Sequence, residues 1–130
     1  MIVLDASVVV ELLTKGSISD SIRSDLYSSA ETLISTHLLD VEVVSALRKM
    51  RAAQRMDRHD AEQILAQLAA LPAERYPHTP FLTRIWELRH NFTAYDAAYI
   101  ALAEATNAVL YTCDPKLSRG HRAKVALFES

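Results

Sequence analysis

Glycine and cysteine are scarce in this chain, and their scarcity excludes several kinds of site. The sequence has two glycines, Gly16 and Gly120, so it holds neither a phosphate-binding P-loop nor the glycine-rich turn of dinucleotide-binding proteins. A single cysteine, Cys113, excludes an internal disulfide and is typical of a protein in a reducing cytoplasm. Because Cys113 ends an apolar run, we expect a small core residue and not a nucleophile.

Long apolar runs are also missing. No stretch approaches the ~18 residues that a membrane-spanning helix needs, and the N-terminal residues lack the basic segment of a secretory signal. We therefore expect a cytoplasmic protein that has no membrane partner. The 130 residues, of which 50% are hydrophobic, predict one packed domain over residues 1–130.

An excess of positive charge is absent as well. The net charge is −2, from 14 basic and 16 acidic residues, and this balance does not by itself indicate a nucleic-acid-binding protein. Two basic runs are each more typical of a solvated face than of a phosphate-binding track. One comprises Arg48, Lys49, Arg51, Arg55 and Arg58, and the other comprises Lys116, Arg119, Arg122 and Lys124.

Two common catalytic motifs are not found. The five histidines show no HExxH or other zinc-site spacing, and the chain has no GxSxG motif. We expect these histidines to be surface or core residues without a catalytic role.

Short apolar runs alternate with amphipathic segments along the whole chain. This alternation predicts an α/β fold in which helices cover both faces of a parallel sheet. Periodicity places Leu65 on the inner side of its helix, and we expect Trp86 to be buried in the core. The predicted strands cover residues 2–4, 32–35, 74–78, 109–112 and 124–128, with the third at an edge; the predicted helices cover residues 7–13, a segment from Ser19 or Asp20, and residues 37–51, 57–71, 79–90 and 93–106.

Four acidic residues stand at the borders of these apolar segments. Asp5 and Asp114 follow predicted strands, Asp96 lies in the first turn of a helix, and Glu42 lies beside an apolar helix stripe. In parallel sheets, ligands bind outside the carboxyl ends of the strands, where Asp5 and Asp114 are expected. By spacing alone, Asp96 is also typical of a helix-capping residue, and Glu42 of an exposed partner for a basic side chain.

Clustered carboxylates repel one another unless a cation compensates them. Mg²⁺ and Mn²⁺ prefer oxygen ligands, and a bound divalent ion can polarise a phosphoryl oxygen and lower the pKa of water. If the four acids converge, they predict metal-assisted hydrolysis of a phosphodiester, with one or two ions. Ser7 could cap the first helix or support such a site.

The chain resembles the PIN-domain ribonucleases and, within them, the VapC toxins of bacterial toxin–antitoxin modules. The resemblance covers nearly the whole chain, and its most specific part is the run TAYDAAYIALA at residues 93–103. The other matching segments are IVLDAS at residues 2–7, Glu42 with Ala46 and Leu47 behind it, and YTCDPKL at residues 111–117.

The resemblance implies a three-layer α/β/α sandwich around a mostly parallel sheet with strand order 3-2-1-4-5. It implies cleavage of RNA, often tRNA or another structured RNA, that depends on Mg²⁺ or Mn²⁺. It also implies a homodimer and neutralisation by a VapB-like antitoxin. Asp5, Glu42, Asp96 and Asp114 would form the catalytic and metal-binding quartet, with Ser7 and Thr112 as supporting polar groups.

Two other classes of function are open from the sequence. A non-catalytic module could use the same fold to dimerise and to hold RNA or protein. A phosphatase could use Asp5 as nucleophile, although Ser7 replaces the second aspartate that such enzymes place two residues later. The helices around Trp86 and over residues 57–71 are candidates for dimer or antitoxin contacts.

Overall fold

Five short strands form one sheet in which every neighbouring pair is parallel. The computed structural model describes residues 1–129. The sheet order is β3-β2-β1-β4-β5, which confirms the predicted order 3-2-1-4-5. The strands are β1 (Ile2–Leu4), β2 (Leu33–Thr36), β3 (Glu74–Tyr76), β4 (Val109–Thr112) and β5 (Lys124–Leu127).

Six α-helices and two 3₁₀ turns connect the strands of residues 1–129. Within this part of the chain, no helix is long and apolar enough to cross a membrane. The helices are α1 (Ala6–Leu13), α2 (Ser19–Ser29), α3 (Leu38–Ala52), α4 (Arg58–Ala69), α5 (Leu82–Glu87) and α6 (Ala94–Thr106), and the 3₁₀ turns are Thr79–Phe81 and Pro115–Ser118.

The sheet separates two hydrophobic cores. Side chains of a strand alternate between its faces, so Ile2 and Leu4 of β1 belong to one core and Val3 belongs to the other. Buried residues of α1 to α4 fill the first core, whereas α6 and Leu88, just after α5, fill the second. The result is the predicted three-layer α/β/α sandwich.

Helix α6 is the most deeply buried helix of the described chain. Seven consecutive residues, 97–103, are buried, because small and aliphatic side chains let the helix lie close to the sheet. Thr93 caps its first turn in an extended conformation, and Asn107 ends it in the left-handed conformation. The first turn of α6 therefore has a fixed position relative to β1 and β2.

Arg75, on the edge strand β3, joins this strand to two helices through contacts that sequence patterns do not predict. Its guanidinium donates to both carboxylate oxygens of Asp40, at 2.9 and 3.3 Å, and to the carbonyl of Leu68 at 2.8 Å. It also donates to the carbonyls of Leu71 and Ala73. One side chain thus joins β3 to α3 and to the C-terminal end of α4, and only 18% of it is exposed.

The segment after β3 differs from its prediction. Instead of a helix over residues 79–90 capped by Thr79, a 3₁₀ turn precedes the six-residue helix α5. The N–H of Leu88 is shared between the carbonyls of Arg84 and Ile85, and this tightening ends the helix.

Two predictions of buried side chains were wrong. Trp86 is 66% exposed and Leu65 is 42% exposed, because no further layer formed by residues 1–129 covers the outer sides of α5 and α4. The Arg89 guanidinium lies 4.2 Å from the centre of the Trp86 ring. In this cation–π contact the guanidinium covers part of the indole ring, although the side chain as a whole stays exposed to solvent.

Candidate functional site

Asp5 lies where β1 ends and α1 begins, and it is 5% exposed. Its Oδ1 accepts hydrogen bonds from the Val8 N–H at 3.0 Å and from the Ser7 hydroxyl at 2.6 Å. Burial raises the pKa of Asp5 above its usual range, while hydrogen bonds from Ser7, Thr112 and Val8 lower it and the charge of Asp96 raises it further. The fold therefore holds a carboxylate where its charge is costly.

Ser7 and Thr112 link this carboxylate to the end of β4. The Ser7 hydroxyl, which donates to Asp5, accepts from the Cys113 N–H at 2.9 Å. The Thr112 hydroxyl accepts from the Asp114 N–H at 3.0 Å. These contacts fix the chain where β1 and β4 lie side by side.

Asp96 stands in the first turn of α6, where the Thr93 hydroxyl accepts from the Asp96 N–H at 3.2 Å. Burial is the largest cause that raises the pKa of Asp96, and the charge of Asp114 raises it further. A hydrogen bond with Thr93 and the charge of Lys116 act in the opposite direction. The partial positive charge of the helix N-terminus therefore does not fully compensate the negative charge of Asp96.

Glu42 projects from α3 and is half-buried. The Tyr99 hydroxyl donates to its Oε1 at 3.2 Å. Burial raises the pKa of Glu42, the hydrogen bond from Tyr99 lowers it, and the charges of Asp96 and Asp5 raise it. Burial and then the charge of Glu42 raise the pKa of Tyr99 far above its usual range, so the phenol stays a hydrogen-bond donor.

Asp114 follows β4 and starts the second 3₁₀ turn. Its Oδ1 accepts from the Lys116 N–H at 3.0 Å, and the Lys116 ammonium lies 4.0 Å from its Oδ2. One third of the Asp114 side chain, 33%, is exposed. It is close enough to Asp96 for its charge to raise the pKa of that acid.

The four predicted acids therefore lie near one another at the carboxyl end of the sheet, although they come from distant segments. Asp5 is coupled electrostatically to Asp96 and Glu42, and Asp96 is also coupled to Glu42 and Asp114. Among residues 1–129, Asp5, Glu42 and Asp96 form no ion pair with a basic side chain. A bound cation would reduce the mutual repulsion of these acids.

A hydrated divalent ion suits this arrangement. In the described part of the chain, no three His, Cys, Asp or Glu side chains form a group that could hold a metal ion directly. Mg²⁺ usually keeps several waters and binds through one or two carboxylates, so it does not require such a closed cage. An all-oxygen set of carboxylates, one of them deeply buried, fits Mg²⁺ or Mn²⁺ by its chemistry.

Cys113 lies beside this cluster but does not share its chemistry. Burial is the main cause that raises the pKa of its thiol to about 11, and the charge of Asp5 contributes. The thiol is therefore neutral at pH 7, which does not favour a nucleophile.

Two residues near the acids were missed by sequence analysis. Tyr99 gives one signal in hindsight, because a tyrosine among small buried residues needs a partner for its hydroxyl. Lys116 gives none, since an exposed lysine in a polar loop is common.

Known proteins resemble this chain over nearly its whole length. A family model described as the PIN domain matches residues 2–122. Ribonuclease VapC12 of Mycobacterium tuberculosis is 37% identical over 129 residues, which cover 98% of each chain. Ribonuclease VapC9 of the same organism is 41% identical over 118 residues, which cover 91% of this chain and 89% of that protein.

Solved structures confirm the fold. The crystal structure of VapBC2 from Rickettsia felis, bound to a DNA fragment from the promoter, matches with a TM-score of 0.70. Its identity is 18%, over 97% of this chain and 98% of that one. With a family model that spans most of the chain and relatives of this similarity, the chain belongs to the PIN-domain family and, within it, to the VapC ribonucleases.

Proposed function

We propose that this protein is an endoribonuclease toxin that depends on Mg²⁺ or Mn²⁺ and hydrolyses phosphodiester bonds in RNA. The observation that carries the proposal is the cluster of four acids at the carboxyl end of the sheet, three of which form no ion pair with a basic side chain in residues 1–129. Its membership of the VapC ribonucleases supports RNA as the substrate.

The four acids would act together in the proposed site. Asp5, Glu42 and Asp96 would hold a hydrated cation, in part through its waters, and Asp114 would act as a fourth ligand or through an intervening water. A bound divalent ion would neutralise the acids, lower the pKa of a water molecule and stabilise negative charge on the phosphoryl oxygens.

The surrounding residues keep the acids in place before substrate binds. The hydrogen bonds from Ser7 and the Val8 N–H fix the orientation of Asp5, and the Thr93 cap fixes the first turn that carries Asp96. Because these groups are positioned by folding, little reorganisation is needed when an anionic substrate arrives.

We also propose tRNA or another structured RNA as the substrate, a homodimer as the active form, and a VapB-like antitoxin as the partner in the cytoplasm. The name VapBC2 of the similar crystallised complex supports an antitoxin partner. An arginine of the antitoxin inserted among the acids would compensate the same repulsion as a cation. Charge reversal at Asp5 or Asp96 would then weaken the toxin–antitoxin complex, whereas unchanged affinity would contradict this mode of inhibition.

The test of the proposed activity is to map RNA ends in cells after induction of the wild type or Asp5→Asn, and to repeat cleavage with the purified proteins. We expect new ends with the wild type only, and at least ~100-fold slower cleavage by Asp5→Asn because a ligand is lost. Asp20→Asn, at a side chain that is 99% exposed, is the matched control and should cleave like the wild type.

Removal of metal ions with EDTA is the second test of the proposed activity. Cleavage by the wild type should stop in EDTA and return on addition of Mg²⁺ or Mn²⁺. Undiminished cleavage in EDTA, or full activity of Asp5→Asn, would contradict the metal-dependent mechanism. RNA binding without cleavage at every metal concentration would instead support a non-catalytic module.

A further inference from the structure

Glu42 is the proposed ligand that most needs external positioning. Its side chain has one more rotatable bond than an aspartate, so ordering it costs more conformational freedom. Unlike Asp5, it does not cap a helix, and among residues 1–129 it forms no ion pair with a basic side chain. Within this part of the chain, its carboxylate has one hydrogen bond, from the hydroxyl of Tyr99.

Tyr99 is well suited to hold another side chain, because it is itself immobilised. It lies in the continuously buried stretch of α6, is 1% exposed, and packs in the core formed with Val3 and Ile34. Its hydroxyl lies beside the hydroxyl of Thr36 at the end of β2. A buried phenol that contacts both a strand end and a carboxylate has little freedom to move.

The position of Tyr99 in α6 connects two proposed ligands. Residues three apart share one side of a helix, so Tyr99 lies one turn beyond Asp96 on the same side. The hydrogen bond to Glu42 spans 57 residues of sequence and joins α6 to α3. It occupies one lone pair of Oε1, which leaves the other carboxylate lone pairs available to a cation.

We propose that Tyr99 is a positioning residue whose hydroxyl fixes the Glu42 carboxylate for divalent-cation binding. Helix α6 would then place two ligands, Asp96 directly and Glu42 through the phenol. This inference rests on the proposed metal-dependent function and adds a residue to it. Partners that orient ligands from outside the coordination sphere typically change metal affinity by about 10–100-fold when they are removed.

The primary experiment measures Mn²⁺ affinity by isothermal titration calorimetry for the wild type and Tyr99→Phe. The substitution removes the hydroxyl and keeps the ring, so we expect about 10-fold weaker binding with the core packing preserved. Tyr111→Phe is the matched control, because Tyr111 is also buried and its hydroxyl donates to the Asp25 carboxylate at the same 3.2 Å. Mn²⁺ affinity should be unchanged in this control.

RNA cleavage provides a readout that a loss of packing would not mimic. For Tyr99→Phe, the Mg²⁺ concentration at half-maximal rate should rise by about 10-fold. At saturating Mg²⁺, both kcat and the KM for RNA should return to wild-type values. A lower kcat that saturating Mg²⁺ does not restore would overturn the proposed positioning role.

A double-mutant cycle then tests whether the effect passes through Glu42. If it does, adding Tyr99→Phe to Glu42→Gln should weaken Mn²⁺ binding no further. Equal losses of affinity in the presence and absence of the Glu42 carboxylate would overturn the inference, as would an equal loss in Tyr111→Phe.

The outcomes also separate this inference from the proposed function. If the wild type binds no Mn²⁺ and cleaves no RNA, both fail together. If the wild type binds Mn²⁺ and Tyr99→Phe binds it equally well, only the role of Tyr99 is overturned.

Discussion

The two ends of α6 carry acids in opposite surroundings. Near its C-terminal end, the Glu104 carboxylate accepts from Arg84 at 2.7 and 2.9 Å and from the Arg122 N–H at 2.8 Å. The hydrogen bonds from Arg84 are the main cause that holds the pKa of Glu104 below its usual range, although burial acts in the opposite direction. At the N-terminal end, burial and Asp114 raise the pKa of Asp96.

This difference shows that Glu104, and not Asp96, is the acid that stabilises the fold. The Glu104 side chain is only 8% exposed, and an arginine compensates its charge. Asp96 has no comparable partner in residues 1–129, so it is retained at a cost to stability. An acid in such surroundings is a candidate for the metal-binding role proposed for Asp96.

A cavity lies beside the C-terminal end of α6 and not beside the four acids. A cavity of about 600 Å³ is lined by Arg84, Glu104 and Arg122, and none of the four predicted acids lines it. A hydrated cation and an RNA backbone can bind at an open rim without an enclosed cavity, so the four acids need no such cavity.

Asp96→Asn should have the largest effect on this comparison. At Mg²⁺ concentrations 100 times the Kd, the wild type should gain about 2.7 kcal/mol of unfolding free energy, and the variant should gain almost none. Without Mg²⁺, the variant should be at least as stable as the wild type, because it lacks an uncompensated charge. Urea denaturation with and without Mg²⁺ measures both effects.

Glu104→Gln is the control for that experiment, since it alters the acid at the other end of α6. Its gain from Mg²⁺ should equal that of the wild type. If Asp96→Asn were stabilised by Mg²⁺ as strongly as Glu104→Gln, Asp96 would not be a metal ligand.

Glu104→Gln should itself produce the second largest change. Losing the carboxylate leaves Arg84 without its main partner and should lower the unfolding free energy at pH 7 by about 2 kcal/mol. The folded-state pKa of Glu104 is lowered from 4.5, so its contribution is complete above that value and disappears as pH falls through the folded-state pKa. Urea denaturation from pH 7 to pH 3 should show the stabilities of the two proteins converge, and a constant difference would contradict the ion-pair explanation.

Much of the fold could be predicted from local patterns. Apolar runs such as Ile2–Leu4 and the one within Val109–Thr112 are short, and their alternation with helices predicts parallel pairing. The outward position of Trp86 could not be predicted in this way. Periodicity shows which side of a helix is apolar, but it does not show whether another layer of the protein packs against that side. Arg75 has no periodic signal, since its partners are mostly backbone carbonyls that any sequence supplies.

The candidate site was predictable to a similar degree. Asp5 and Asp114 follow strands that pair in parallel, so topology alone brings them to the same carboxyl end of the sheet. The position of Glu42 rested on the family resemblance, because an acid beside an apolar stripe is also typical of an exposed helix face. The link from Tyr99 to Glu42 depends on the packing of α6 against α3 and β2, which local sequence does not specify.

Thr93→Ala should have a smaller effect than Asp96→Asn or Glu104→Gln. It removes the cap of the helix turn that carries Asp96 and leaves the Asp96 carboxylate unchanged. Removing the hydroxyl that accepts from the Asp96 N–H should cost about 1 kcal/mol of unfolding free energy. Asn107→Gly, at the other end of α6, should change stability by less than about 0.5 kcal/mol, because φ is 53° there and glycine adopts this conformation easily. Since only the first turn carries a proposed ligand, Thr93→Ala should also raise the Mg²⁺ concentration needed for half-maximal RNA cleavage, whereas Asn107→Gly should leave it unchanged. An equal shift in both variants would mean that general loosening of α6 controls metal binding, and the functional distinction between the two ends of the helix would fail.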